Sequence, residues 1–135
     1  METGLARPQV KPQEFIGKDA YLKQRAGPSA VTLCTLTIDD NTSRSGFKRF
    51  MMGREPVLSP QGERLVDQHG RGSYVTSAGS GPSVGRTILM SFLPPEQAKV
   101  GTKLAVEYFG ERYPATVAVV GPTPLFDPQN TRVRS

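Results

Sequence analysis

The chain has no tryptophan, one cysteine and one histidine in 135 residues. A lone Cys34 excludes an internal disulfide and any cysteine-based metal site, and its place among alternating apolar residues reads as a small core hydrophobe rather than a reactive thiol. No apolar run approaches the roughly 18 residues that a membrane-spanning helix needs, and no leader pattern opens the chain, so the expectation is a cytoplasmic protein without a membrane partner. The 17 basic against 12 acidic residues give a net charge of +5, yet no Lys/Arg run occurs and no aromatics are interleaved with the basic positions. That pattern argues against a nucleic-acid partner and for solvated surface, with a few arginines facing an anionic ligand as the sharper reading.

Gly and Pro are plentiful: 14 and 12 residues, about a fifth of the chain. This suits short strands joined by many turns better than a helical bundle. One domain is expected, large enough to bury roughly two-thirds of its unfolded surface.

The regular elements follow from periodicity. Gly17 to Arg25 reads as a short helix with Asp19 in its first turn, Lys23 and Arg25 in its last, and Gly27-Pro28 to stop it. Too short to persist alone, it must dock on something. Ala30 to Ile38 is a strand with Cys34, Leu36 and Ile38 on one parity. Phe47 to Met52 mixes aromatic, methionine and basic residues; it is read as an edge strand or turn over a barrel mouth, with a partner-facing surface as the competing reading. Glu55 to Leu58 is a short strand, followed by the turn Ser59-Pro60-Gln61-Gly62. Tyr74 to Thr76 begins a hairpin whose turn is placed at Ser77 to Ser83 and whose return strand puts Ile88, Met90 and Phe92 on its half-buried parity. Leu104 to Tyr108 and Tyr113 to Val119 form the clearest hairpin, and Pro114 places its second arm near an edge or bulge. The sum is an all-β fold: an antiparallel six-stranded barrel or jelly-roll-like sheet led in by a short N-terminal helix.

The chemistry-bearing residues do not assemble into a catalytic set. Gly79-Ser80-Gly81-Pro82-Ser83-Val84-Gly85 superficially matches a dinucleotide fingerprint, but a β-like run follows where a helix N-terminus is required. His69 lies in a Gly-rich turn without a second metal ligand or a neighbouring nucleophile and reads as surface. Asp39-Asp40 reads as a solvated turn. No catalytic and no metal-binding residue is expected.

Several short motifs, in order, carry a resemblance. Phe15-Ile16-Gly17-Lys18-Asp19-Ala20, Gly72-Ser73-Tyr74-Val75-Thr76-Ser77, Pro82-Ser83-Val84-Gly85-Arg86 and the ending Pro124-Leu125-Phe126-Asp127-Pro128 resemble the C-terminal barrel of the glycine-cleavage T-protein (aminomethyltransferase) superfamily. Ala78 replaces the family's usual glycine, and Asp67 to Arg71 is an insertion. The longer loop and the ending look most like the dimethylglycine and sarcosine dehydrogenase branch. The resemblance implies a linker and connecting helix over residues 1–28 and the barrel over 29–135. It implies that the folate-binding domain, and an FAD domain in the oxidoreductases, belong to other parts of the same polypeptide or complex; the opening residues 1–14, with Pro8 and Pro12 and little periodicity, read on their own as an extended linker, as expected of a piece of a longer polypeptide. On this reading the barrel closes one side of a tetrahydrofolate cavity, and Arg132, Tyr74 and Arg86 are its candidate cofactor contacts. A free-standing binding module is the alternative; an exposed apolar face around Phe15, Ile16 and Phe47 to Met52 would favour the missing domain.

Overall fold

In the computed structural model, residues 2–4 and 10–132 are described. The elements are helix α1 (Lys18–Ala26) and strands β1 (Thr32–Ile38), β2 (Val57–Leu58), β3 (Val75–Gly81), β4 (Arg86–Leu93), β5 (Lys103–Tyr108) and β6 (Glu111–Val120). The strands form one antiparallel sheet in the order β2-β5-β6-β1-β4-β3. The sheet curls into a half-barrel, and its two outermost strands are drawn together by a backbone seam. Pro56 bridges Tyr74, the Val57 N–H donates to the Ser73 carbonyl at 3.1 Å, and the Val75 N–H donates to that of Glu55 at 2.8 Å. The antiparallel, all-β expectation with one short helix is what the chain adopts.

The concave face is the core. Register sets Leu36 opposite Leu89 on one side and opposite Val117 on the other. These three, with Ile38, Val75 and Val106, are buried. Each such side chain contributes about 1.5–3 kcal/mol of apolar transfer free energy before entropy is counted. Cys34 and Ser91 also face inward, and the Ser91 hydroxyl donates to the Tyr74 carbonyl at 2.8 Å, so this buried polar group is satisfied.

Three expectations are corrected. Ser77 to Gly81 is strand rather than turn, because pairing with β4 continues from Ala78–Leu89 to Gly81–Arg86; the reversal is confined to Pro82–Gly85. In β4 the buried parity is Leu89, Ser91 and Leu93, while Ile88, Met90 and Phe92 face outward. Both parities of β4 carry apolar residues, so alternation alone misassigned the face. The outer one lies beside Leu33 and Thr35 and is partly covered by the tail from Gly121 to Phe126. Lastly, α1 buries no residue: Ile16 is fully exposed and Phe15 and Leu22 are exposed as well. Only Lys18, Tyr21 and Arg25 of the helix are partly buried.

Pro114 stands in an inner strand, opposite Ala105 of β5, but beyond the stretch where β6 pairs with β1, which ends at Thr37–Thr116. Its missing N–H therefore costs no ladder bond on that side. Phe47 to Met52 forms no strand. Met51 is buried, and Phe47, Phe50 and Met52 are 68%, 60% and 84% exposed.

Candidate functional site

The long connection from Asp39 to Tyr74 holds most of the buried polar side chains: Asn41, Ser43, Glu55, Asp67 and Ser73. Where it meets the seam, a cleft of about 730 Å³ opens, with Pro56, Val57 and Leu65 among its apolar lining and Arg54, Arg64 and Tyr74 among its polar one.

Each polar group is placed by a local device. The buried Glu55 carboxylate accepts from the Met52 N–H at 2.7 Å and the Gly53 N–H at 2.9 Å. This tight turn holds Arg54 at φ 74°, a left-handed conformation unusual for a residue with a Cβ. The Arg54 N–H donates to the Val75 carbonyl at 2.6 Å, which ties the turn to β3. The turn after β2 closes with the Gly62 N–H donating to the Ser59 carbonyl at 2.9 Å. Gly62 has φ 95°, and a Cβ there would strike the Arg112 guanidinium, which donates to the Gln61 carbonyl at 3.2 Å. Arg64 then returns to bridge Leu58, and its guanidinium packs on the backbone of Gly72. Neither the Arg54 nor the Arg64 side chain has an ionic or hydrogen-bonding partner among the described residues. Glu107, on the same cleft, faces Arg112 at 3.6 Å.

Tyr74 is 52% exposed and stands between this cleft and a smaller one of about 210 Å³ that includes Val31, Phe92, Asp67 and Arg71. Asp67 is a structural anchor. Its carboxylate accepts from the backbone N–H groups of His69 and Arg71 and from Arg71 Nε at 2.7 Å. Loss of solvent pushes its pKa up, but the Arg71 and His69 hydrogen bonds and the Arg71 charge together outweigh that and hold it below the usual carboxylate value. His69 sits exposed at the tip of this turn, as the sequence suggests.

Tyr74, Arg86 and Arg132 are not gathered at one point. Tyr74 precedes β3 and Arg86 begins β4; because Val75 pairs with Ser91 and Gly81 with Arg86, the two lie at opposite ends of the hairpin. At about 3.3 Å per residue, that is ~20 Å of strand. Arg86 contacts Asp39 at 3.2 Å across an exposed ion pair. Arg132 is in the tail, its guanidinium 5.0 Å over the Phe126 ring and its N–H donating to Asp127. Arg54, Arg64 and Glu55 were not singled out from sequence; the Gly53-Arg54-Glu55-Pro56 string, a glycine and an acid flanking a basic residue just before a strand, is the signal that was there. Among the described residues no three His, Cys, Asp or Glu side chains are grouped to hold a metal, and no helix is long and apolar enough to cross a membrane.

A family model described as the glycine cleavage T-protein C-terminal barrel domain matches residues 32–127. Dimethylglycine dehydrogenase of Rattus norvegicus is 28% identical over 127 residues, 92% of this chain and 13% of the relative. Trimethylamine-oxide aldolase of Ruegeria pomeroyi is 30% identical over 93% of this chain and 14% of its own length. A probable aminomethyltransferase of Thermococcus kodakarensis is 32% identical over 87% of this chain and 25% of its own. The crystal structure of aminomethyltransferase T of the Bartonella henselae glycine cleavage system superposes with a TM-score of 0.60 at 19% identity, over 76% of this chain and 25% of that one, which supports the shared fold. The chain thus spans only about an eighth to a quarter of the length of these relatives.

Proposed function

Because the chain belongs to the family of glycine cleavage T-protein C-terminal barrel domains, we propose that it is the barrel of a larger tetrahydrofolate-dependent enzyme. In this reading, residues 1–28 are the linker and connecting helix, 29–135 are the barrel, and the barrel closes one side of a folate cavity built by other domains. The one-carbon unit would come from an N-methyl amine such as dimethylglycine or sarcosine, with FAD in a further domain, or from the glycine cleavage system. The enzyme would work in the cytoplasm, with neither nucleic acid nor membrane as partner.

The observation that carries the reading is the apolar surface left uncovered. Phe15, Ile16, Phe47, Phe50 and Met52 are all exposed, as is one face of a helix that buries nothing. Several large apolar residues left exposed, three of them within Phe47 to Met52, suit a partner better than a free monomer. This favours a barrel awaiting its neighbouring domains over a self-sufficient binding module.

The donor groups suit the ligand. Tetrahydrofolate, when bound, accepts the one-carbon unit; its glutamate tail offers carboxylates. Arg86 and Arg132 carry guanidinium groups able to grip a carboxylate by two parallel N–H donors, and Tyr74 presents a half-exposed phenol. For Arg86 the competing anion is Asp39, so ligand binding there must displace an exposed ion pair, which is worth little. This chain contributes binding, orientation and exclusion of water, and the proton transfers belong to groups outside it. The test is a tetrahydrofolate titration of the whole enzyme with and without Arg132→Ala. We expect about tenfold weaker binding in the variant, the scale of one charge-assisted contact. Unchanged affinity removes Arg132 from the role, and undiminished folate binding after deletion of the barrel sinks the proposal as a whole.

A further inference from the structure

The cleft at the seam has the makings of a ligand site in its own right. We propose that it binds a small organic anion carrying an apolar ring, held by Arg54 and Arg64 with the ring against Tyr74. Three observations converge on this. Two guanidinium groups share one cleft, and neither has a partner among the described residues, so their hydrogen-bonding capacity is turned outward. By contrast, Arg71, Arg86 and Arg112 each face a carboxylate in this molecule.

Second, Arg54 is held in place at a cost. A left-handed φ of 74° at a residue with a side chain is unfavourable, and a buried carboxylate with backbone donors of two residues is spent on keeping it so. Nothing in the packing needs an arginine at that position, since its side chain is exposed. Third, the cleft is amphipathic. Val57, Leu58 and Leu65 are buried beneath it, and Tyr74 exposes half its surface at its side. At about 730 Å³ it falls within the range of small-molecule sites, which are largely apolar with a few convergent polar groups. Among the described residues the acidic side chain on its wall is Glu107, which faces Arg112 at 3.6 Å, leaving the cleft net positive.

The shared chemistry is an oxyanion on a ring-bearing molecule; a phosphate ester and a carboxylate are its two possible sources. The site does not rest on the folate reading, because its ligand would bind this 135-residue chain without other domains. The experiment is a titration of the isotopically labelled chain, followed by the backbone and arginine Nε–H resonances, with phenyl phosphate, phenylacetate and inorganic phosphate in separate arms. Saturable shifts are expected at Arg54, Arg64 and Tyr74 with one of the two ring-bearing probes, which identifies the source, and weaker binding of inorganic phosphate. Arg54→Gln and Arg64→Gln should each weaken the better probe about fivefold or more, the scale of one charge-assisted hydrogen bond. Arg44→Gln, outside the cleft, should leave it unchanged. If Arg64→Gln disturbs the fold, Arg64→Lys keeps the charge and loses the two-pronged grip, and should still bind more weakly. Absence of saturable binding by both ring-bearing probes, or equal affinity in the glutamine variants and the parent, overturns the site while leaving the folate proposal standing.

Discussion

The wall formed by β1, β4, β5 and β6 and the connection from Asp39 to Tyr74 are built by opposite rules. In the wall, stability comes from apolar side chains registered across strands and from backbone groups paired in the ladders, with Thr35, Thr37 and Ser91 as buried polar side chains among them. In the connection, only a two-residue strand and isolated bridges are regular, and shape is held by buried side-chain oxygens that accept from loop N–H groups. The wall is therefore difficult to alter without loss of the fold. The connection can present arginines at unusual angles because single carboxylates fix its turns. Function-bearing geometry sits on the second kind of scaffold, supported by the first.

The contrast is broken most forcefully in the wall. Leu89→Ala, at a fully buried position facing Leu36, should cost about 2–5 kcal/mol in denaturant unfolding, whereas Phe50→Ala in the connection should change stability by no more than about 0.5 kcal/mol. Comparable losses at the two positions would erase the distinction. Next in size is Glu55→Ala, which leaves the Met52 and Gly53 N–H groups without their acceptor; about 1–3 kcal/mol is expected, together with weakened binding at the cleft.

Acid should sharpen the comparison, because the carboxylates with lowered pKa values lie in the connection and the tail. Hydrogen bonds from Thr42 and Lys48 bring Asp40 to about 2, and Asp67 is lowered as described above. In Asp127 the backbone N–H of Arg132 leads the lowering. A carboxyl that is more acidic in the folded chain stabilises it above the unfolded pKa of about 3.9, and that contribution is lost as pH falls through the folded value. Stability should thus be level down to about pH 5 and decline below it, and Asp67→Asn should flatten the decline; an identical slope in the variant would dissociate Asp67 from it. At the other extreme, burial raises the Cys34 thiol to about 11, so this residue in the wall should lower stability only as pH rises from about 9 to 11, and should react with thiol reagents only on unfolding. The smallest effect is expected at the exposed Lys18–Glu14 pair, where Glu14→Ala should shift stability by less than about 0.5 kcal/mol.

What could be read from the sequence divides along the same line. The hairpin of the wall was legible because Tyr113, Ala115 and Val117 alternate with less buried neighbours in β6, although in β5 Leu104, Ala105 and Val106 are all buried. The short helix was visible in its charge pattern, Asp19 before Lys23 and Arg25. Alternation failed in β4, where Ile88 and Leu89 are equally apolar and only the register with β1 decides which is buried. It failed again from Ser77 to Gly81, where small residues that favour turns are held in a strand by pairing with β4. The cleft was illegible for a different reason. Arg54, Glu55, Arg64 and Tyr74 are spread over 21 positions and converge only because the seam draws the outermost strands together. Motif order revealed the family, while the positions of Arg86 and Arg132, far along the hairpin and in the tail, depended on folded distances that no spacing encodes.

The seam joins only the first residue of β3, and among the described residues the rest of that strand, Thr76 to Gly81, is paired with a strand on one side alone. A bare strand rim invites recruitment of further molecules into fibrils. Serine, alanine and glycine are feeble templates for such stacking, so this rim is protected by its own poverty of side chains. Replacing them with valine or isoleucine to stiffen the strand would trade solubility for rigidity.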